Sequence, residues 1–208
     1  AYGEAGVSYK DIVYLTATAR NDWSSTLPVE NWSYFYPSLS GSFVFTQLLP
    51  ANKILSFGKL RASWARVGKD ANAYATNTYE NPPVTILAGN GSYVGIGNQW
   101  QGGNANLIPE IQTSWEVGGE FRFLNGRIGL DYTYYHSATE NQIGSPRLAQ
   151  SGGFIFSTLN AGTVINKGME VALTGKIVSQ KNFGWDATIN FSYNRGSLGA
   201  FIPGVQYF

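Results

Sequence analysis

Cysteine is absent from this chain of 208 residues, and histidine occurs once, as His136. Without cysteine, the chain can form neither a disulfide framework nor a cysteine-ligated metal site. Because no second imidazole could share a metal ion with His136, we expect a structural or surface role for it. Charged residues are also scarce, at 13%, against about 25% in ordinary soluble proteins.

The chain also lacks a long apolar run. No stretch of about 18 apolar residues occurs, which excludes a transmembrane helix. The formal net charge is only +1 and no basic block is present, so nothing supports a nucleic-acid partner. Residues 1–4 do not resemble a signal peptide, and residues 1–8 read as part of a strand already under way. We therefore expect a piece of a longer protein.

Catalytic groups are equally scarce. Glu116 and Glu120 fall on one face of a predicted strand and could form a carboxylate pair. Glycoside hydrolysis, however, needs two carboxyl groups about 5–10 Å apart across a cleft. We expect these carboxylates to pair with neighbouring Arg or Lys side chains instead. The sequence predicts a protein that is not an enzyme and has no cofactor or metal.

Aromatic residues are abundant, at 15%, and there are 25 glycines. The clearest pattern is the stretch Thr113–His136, where apolar and polar residues alternate on both sides of Asn125-Gly126. This dipeptide is a strong hairpin signal, because Asn and Gly tolerate the positive φ angles that a two-residue turn requires. Side chains along a strand alternate between its faces, so one face is apolar and the other is charged or small.

This alternation fits two architectures. In a soluble sandwich the apolar face turns inward to a core, whereas in a membrane barrel it turns outward to lipid and the polar face lines a lumen. A tilted strand needs about 9–11 residues to cross the hydrocarbon, whereas strands in soluble proteins average about 5–6. The predicted strands have the longer length, which favours the barrel.

The same reasoning predicts an all-β fold, an antiparallel transmembrane β-barrel segment of about eight strands. We place the strands at about 1–8, 12–22, 34–47, 54–67, the two arms of 113–136, 163–178 and 185–194. The connections near residues 9, 51, 125 and 180 are short, and those at 21–33, 68–112 and 141–161 are long. Strict alternation is typical of the periplasmic turns and extracellular loops of outer-membrane barrels. Aromatic residues near strand ends are expected to form an interfacial girdle: Tyr34, Tyr36, Trp64, Trp115, Tyr134, Trp185 and Tyr193.

Two sets of side chains are candidates for function. A lipid-facing Arg or Lys near the bilayer midplane costs about 2–4 kcal/mol, so we expect the charges of the polar face to line the lumen. They are Arg20, Asp22, Lys59, Arg61, Glu116, Glu120, Arg122, Asp131, Glu170, Lys176 and Asp186. Aromatic residues of the 68–112 loop could stack on a sugar or contact a partner protein, or could only pack the loop onto itself. They are Tyr74, Tyr79, Tyr93 and Trp100.

Several short motifs, taken in their order and spacing, resemble those of one family. They are Arg20-Asn21-Asp22-Trp23-Ser24-Ser25-Thr26-Leu27-Pro28, Tyr36-Pro37-Ser38, Gly58-Lys59-Leu60-Arg61-Ala62-Ser63-Trp64 with Val67-Gly68, Pro109-Glu110 with Ser114-Trp115-Glu116-Val117-Gly118, Asn160-Ala161-Gly162 with Asn166-Lys167-Gly168-Met169-Glu170, and Trp185-Asp186 with Asn190-Phe191. On these residues the chain resembles the SusC/RagA-like TonB-dependent transporters of the Bacteroidetes outer membrane. The likeness extends over nearly the whole chain.

The resemblance implies that residues 1–208 are a fragment of the transmembrane β-barrel domain, with the plug domain and TonB box outside it. Such transporters are plugged barrels of about 22 strands. Their implied function is TonB-dependent import of oligosaccharides or peptides across the outer membrane of a Gram-negative bacterium. The implied partners are a SusD/RagB-like lipoprotein, TonB acting through the N-terminal region, and outer-membrane lipid and lipopolysaccharide. Phe208 resembles the terminal Phe of outer-membrane proteins, but Ile202-Pro203-Gly204 precedes it, and we interpret it as a truncation point.

Two other hypotheses remain open at this stage. A complete eight-stranded outer-membrane barrel, serving as an adhesin or structural anchor, fits the even strand number. Against it, the chain begins within a strand and is expected to end in irregular sequence, which leaves no closure between its first and last strands. A soluble sandwich lectin would be soluble without detergent.

Overall fold

A computed structural model describes residues 1–50, 52–88, 91–95, 97, 99–149, 151 and 153–201. The described chain consists mainly of strands, with two short 3-10 helices at Val29–Asn31 and Phe45–Leu48. The strands are β1 Tyr2–Tyr9, β2 Val13–Trp23, β3 Ser33–Phe43, β4 Leu55–Lys69, β5 Val84–Ala88, β6 Gly91–Gly95, β7 Gln101–Gly102, β8 Glu110–Phe123, β9 Ile128–Gly144, β10 Phe156–Ser157, β11 Leu159–Ser179 and β12 Gly184–Phe201. No helix in this part of the chain is long and apolar enough to cross a membrane.

The eight long strands form one sheet in the order β1-β2-β3-β4-β8-β9-β11-β12. All seven neighbouring pairs are antiparallel, and each strand pairs with the next long strand along the chain. The sheet is therefore a meander, which is the topology expected of a barrel wall. Residues 24–32, 70–109 and 145–158 connect strands at one end of the sheet, which we call the long-loop end, and residues 10–12, 44–54, 124–127 and 180–183 connect them at the other. The predicted strict alternation of short and long connections is wrong at one place, because residues 44–54 contain the Phe45–Leu48 helix and form a longer connection than residues 24–32.

Residues with positive φ make two of the turns at the end opposite the long-loop end. Lys10 and Asp11 have φ angles of 51° and 55°, and the amide of Ile12 donates to the carbonyl of Tyr9 at 2.9 Å. Two consecutive left-handed residues match the twist of the flanking strands. The predicted turn at Asn125-Gly126 is present, but Leu124 also has a positive φ of 53°. The left-handed segment is therefore one residue longer than the dipeptide predicts.

The two faces of the sheet differ as predicted. Register places apolar side chains opposite one another across the sheet, for example Leu39 opposite Trp64 and Leu173 opposite Ile189. These side chains are exposed, with Ile189 at 64% and Phe191 at 52%. The sandwich hypothesis is wrong, because it requires this apolar face to lie buried against a second sheet.

Some predicted boundaries were wrong. The third strand ends at Phe43, because the chain then folds into the Phe45–Leu48 helix, and the hydroxyl of Thr46 accepts a bond from the amide of Gly58 at 3.0 Å. The last strand continues to Phe201 instead of becoming irregular at Gly196. The segment 68–112 contains a hairpin of β5 and β6, and β7 pairs in parallel with the distant β10. Phe208 and the Ile202-Pro203-Gly204 segment lie outside the described residues.

Two members of the predicted girdle lie on the opposite face. Tyr36 is paired with Arg20 and Tyr34 with Asp22, so both rings share the polar face. The Tyr36 hydroxyl donates to the Asp22 carboxylate, and the two tyrosine rings stack with centroids 6.0 Å apart. A polar partner on this face explains why these rings depart from the girdle, which requires side chains on the apolar face.

Candidate functional site

Strand register places all eleven predicted charges on one face of the sheet, opposite the exposed apolar side chains. Charges in neighbouring strands are direct cross-strand partners at several points, such as Lys59 with Glu120 and Lys176 with Asp186. Adjacent cross-strand side chains of opposite charge stabilise a sheet, whereas like charges destabilise it. One like-charged pair, Glu120 opposite Asp131, also occurs on this face, and each of its carboxylates is paired with a cation.

Five of these charges form two neighbouring ion-paired groups, Arg61 with Asp131 and Glu120 with Lys59 and Arg122, which together we call the ionic network. Arg61 donates two bonds to the Asp131 carboxylate, at 2.9 and 2.6 Å, and a further bond to the hydroxyl of Thr133 at 2.5 Å. Glu120 lies 3.3 Å from Lys59 and 2.7 Å from Arg122. Such a forked guanidinium–carboxylate contact fixes orientation as well as charge.

The remaining charges form a second cluster or stand apart from the network. Arg20 donates to Asp22 at 2.8 Å, and the Arg20 guanidinium lies 5.7 Å from the centre of the Tyr36 ring. Glu116 is paired with Ser63 and Glu170 with Thr133, so their direct neighbours carry hydroxyl groups. Hydroxyl and charged groups cover this face from β2 to β12.

At the long-loop end, the first loop is anchored onto the segment that follows β4. The hydroxyls of Ser24 and Thr26 donate to one oxygen of Asp70, at 2.5 and 3.2 Å. Next to this contact, Leu27, Ala71 and Leu107 form a buried apolar cluster against which Tyr34 packs. The Ser24–Pro28 part of the motif therefore joins two loops. The sequence did not predict a role for Asp70, because its hydrogen-bond partners lie 44 and 46 residues away along the chain.

Two further polar side chains hold the loops in place. Asn160 accepts a bond from the amide of Ile108 at 3.1 Å and donates to the carbonyls of Ile108 and Asn141, both at 2.8 Å. Glu110, which is only 7% exposed, accepts a bond from the amide of Ile143 at 2.9 Å. Both residues belong to motifs that carried the family resemblance, and both satisfy backbone groups that strands leave unpaired where they end.

The predicted loop aromatics separate into two groups. Tyr74 and Tyr79 meet edge to face with ring centroids 6.0 Å apart. Both line a cavity of about 390 Å³, whose other walls include the side chains of Asn77, Gln101 and Thr158. An aromatic pair beside amide and hydroxyl groups suits a polar ligand with an apolar face.

The other two predicted aromatics lie elsewhere in the loops. Tyr93 is on the β5–β6 hairpin, paired with Ile86, and is 52% exposed. Trp100 is 70% exposed, and its carbonyl accepts bonds from the amides of Ile155 and Phe156 at 2.9 Å each. The lining of the Tyr74–Tyr79 cavity includes neither of them.

Comparisons with known proteins agree with this architecture. The profile of the family described as TonB dependent receptor-like, beta-barrel, matches residues 1–206. TonB-dependent receptor P26 of Formosa agariphila is 29% identical over 203 residues, and TonB-dependent receptor SusC of Bacteroides thetaiotaomicron is 28% identical over 204 residues. Each alignment covers 95% of this chain but 20% of the relative, so the chain spans about one fifth of the length of these relatives.

Solved structures show the same fold. The structure of the RagAB peptide transporter matches with a TM-score of 0.87 at 22% identity, covering 98% of this chain and 22% of that chain. The siderophore receptor PirA from Pseudomonas aeruginosa matches with a TM-score of 0.64 at 23% identity, covering 95% of this chain and 34% of that chain. These likenesses establish the fold of the sheet, which a peptide transporter and a siderophore receptor share.

Proposed function

This chain belongs to the TonB-dependent receptor-like β-barrel family, and we propose that it forms part of the wall and extracellular loops of an outer-membrane importer. The complete protein takes up oligosaccharides or peptides in a TonB-dependent manner. Residues 1–208 supply a segment of the transmembrane barrel, with the plug domain and the TonB box in sequence outside this range.

The observation that carries this proposal is the separation of the sheet into two faces together with the position of the loops. The apolar side chains are exposed on one face, as contact with lipid requires, and the polar face carries the ionic network. A barrel of this kind presents its apolar face to the bilayer and its polar face to the lumen. The eleven charges then line the lumen.

We assign the long-loop end to the outside of the cell. There the buried cluster and the Asp70 contacts join the connections 24–32 and 70–109, and Asn160 of β11 bonds to Ile108 in the second of them. Such an ordered surface suits a SusD/RagB-like lipoprotein as its partner, with TonB acting at the opposite side through the N-terminal region. The relatives named SusC and RagAB support this assignment.

The small-barrel alternative is less well supported. In the described sheet β1 pairs only with β2 and β12 only with β11, so the eight strands form an open sheet. A membrane barrel must close, because an open sheet edge would leave unpaired backbone groups in lipid. The family match and the open sheet together favour a segment of a larger barrel.

An uptake experiment tests the proposal. The gene encoding the full-length protein is deleted from its host, and uptake of fluorescent oligosaccharides and peptides is compared with that of the wild type. We expect deletion to abolish uptake of one substrate class, and disruption of TonB to have the same effect. Uptake that survives both disruptions for all substrates would overturn the proposed function.

A further inference from the structure

One line of side chains crosses the apolar face of the sheet from β4 to β12. Its members are aromatic at the β4 end and positively charged at the β12 end. Direct cross-strand pairing connects the members of this line, one on each of five adjacent strands. In order they are Trp64, Trp115, His136, Lys167 and Arg195. Directly opposed side chains have Cβ atoms about 4.5–5.5 Å apart, so the last three form a compact group, which we call the cationic row after its two cations, Lys167 and Arg195.

The cationic row lies on the lipid-facing side of the sheet. Two positions along each strand, away from the long-loop end, the same face carries Val117, Tyr134, Met169 and Tyr193. His136 stands eight positions after Ile128, the first residue of β9, and a tilted strand needs about 9–11 residues to cross the hydrocarbon. The row therefore lies at the far boundary of the hydrocarbon layer, toward the long loops.

Aromatic residues mark the same boundary. The rings of Trp115 and His136 stack, with centroids 5.7 Å apart and planes 13° apart, and Trp115 also lies 5.5 Å from Tyr134. Aromatic residues of membrane proteins gather at the level of the headgroups. The row and the rings together occupy the height where acyl chains give way to polar headgroups.

The charges of the cationic row are available to a ligand. Lys167 and Arg195 are exposed, and neither makes a salt bridge with any residue that the structure describes. Arg66, two positions beyond Trp64 on the same face, adds a further exposed cation. Glu140 is the carboxylate of β9 on this face, four positions beyond His136 toward the long loops.

We propose that the cationic row binds the phosphate of a phosphorylated lipid of the outer leaflet, of the lipopolysaccharide class. Lys167 and Arg195 contact the phosphate, His136 borders it, and the apolar line beneath receives the acyl chains. Charge complementarity selects this occupant, because an amphiphile with an anionic head and apolar tails matches a cationic row placed beside an apolar face. The site rests on two parts of the proposed function, that the chain forms barrel wall and that the long-loop end faces the outside of the cell, and it is independent of the imported substrate.

The test uses the full-length protein purified in detergent and carrying Lys167→Gln and Arg195→Gln together. Binding of hexa-acyl bis-phosphorylated lipid A is measured by native mass spectrometry. We expect the two substitutions to weaken binding by about tenfold or more, because each cation near an anionic lipid surface contributes to affinity. The matched control carries Lys53→Gln and Lys181→Gln, two exposed cations in connections at the opposite end of the sheet, and should bind as the wild type does.

Further arms identify the source of the phosphate and check folding. Lipid A without phosphates, with the same acyl chains, and inorganic phosphate alone should both bind at least tenfold more weakly than the intact lipid. The charge-retaining variant with Lys167→Arg and Arg195→Lys should keep binding, and heat-modifiable migration confirms that each variant is folded. Equal binding of phosphate-free lipid, equal binding of inorganic phosphate, or unchanged binding by the Gln variant would each overturn the proposal.

Discussion

At the scale of single residues, Asp70 joins two loops that are distant in sequence. Its carboxylate accepts bonds from Ser24 and Thr26, and its neighbour Ala71 is buried against Leu27. Removing a charged acceptor leaves two hydroxyl groups without that partner, and hydrogen bonds to charged groups are worth about 1.5–3 kcal/mol. One carboxylate therefore anchors the Ser24 and Thr26 part of this loop, beside the buried side chain of Leu27.

We predict that Asp70→Ala increases hydrogen exchange across residues 24–32 while the barrel strands remain protected. The expected rise corresponds to a loss of about 1.5–3 kcal/mol in the local opening free energy. Asp70→Asn should have a smaller effect, since its amide oxygen still accepts one bond. Glu30→Ala, which removes an exposed carboxylate from the same loop, is the control. An exchange pattern for Asp70→Ala that matches Glu30→Ala would disprove the anchoring role.

Tyr74 and Tyr79 support a second prediction at this scale, on the proposed function. Replacing both by Ala removes two stacking faces from the cavity wall, and aromatic contacts with a ligand contribute about 0.5–1.5 kcal/mol beyond their buried area. In cells that carry the full-length protein, we expect the half-saturating substrate concentration for uptake to rise about tenfold. The maximal rate should change little.

The matched control for this experiment is Tyr93→Ala, since Tyr93 is an exposed loop tyrosine outside the cavity lining. Equal effects of the control and the double variant would show that the cavity has no special role in uptake. Surface abundance of each variant, measured with an antibody, separates binding from export.

At the scale of the element, glycines permit close packing on the polar face. A Cβ at Gly168 in β11 would lie 2.3 Å from the carbonyl oxygen of Tyr193 and 2.5 Å from the hydroxyl of Tyr135. The carbonyl belongs to the neighbouring strand and cannot move without disturbing the sheet. Gly175, in the same strand, would meet only the Ile177 side chain at 3.4 Å.

We predict that Gly168→Ala destabilises the barrel by about 1–3 kcal/mol, the usual effect of overpacking. Gly175→Ala should be close to neutral. The measurement is the temperature at which the purified full-length protein loses heat-modifiable migration in gels. Equal transition temperatures for the two variants would contradict the packing argument.

The strands were largely predictable from sequence, whereas the loop contacts were not. Apolar and polar residues alternate along Trp185–Asn194. This pattern predicts which side chains share a face, because successive side chains on a strand point to opposite faces. The Asp70 and Asn160 contacts join residues that are 19 to 52 positions apart in sequence, and no local pattern encodes such pairs. For the same reason the sequence predicted four loop aromatics but could not show that only Tyr74 and Tyr79 meet.

At the scale of the whole molecule, the fold depends on which face meets lipid. Ile189 and Asn190 are neighbours in β12, yet register places them on opposite faces, with Ile189 beside Leu173 and Asn190 beside Ala172. Both positions are exposed in the isolated chain. If water contacted both faces, introducing a charge at either position would change the stability of the protein by nearly the same amount.

We predict that Ile189→Arg destabilises the full-length barrel in lipid vesicles by about 2–4 kcal/mol, the effect of an arginine facing lipid near the midplane. Asn190→Arg, one residue away, should change stability by less than about 1 kcal/mol, because its side chain faces the polar side where water can solvate it. Chemical unfolding in vesicles measures both. Because the two substitutions differ by one residue and introduce the same charge, equal losses of stability would mean that the sheet does not separate lipid from water.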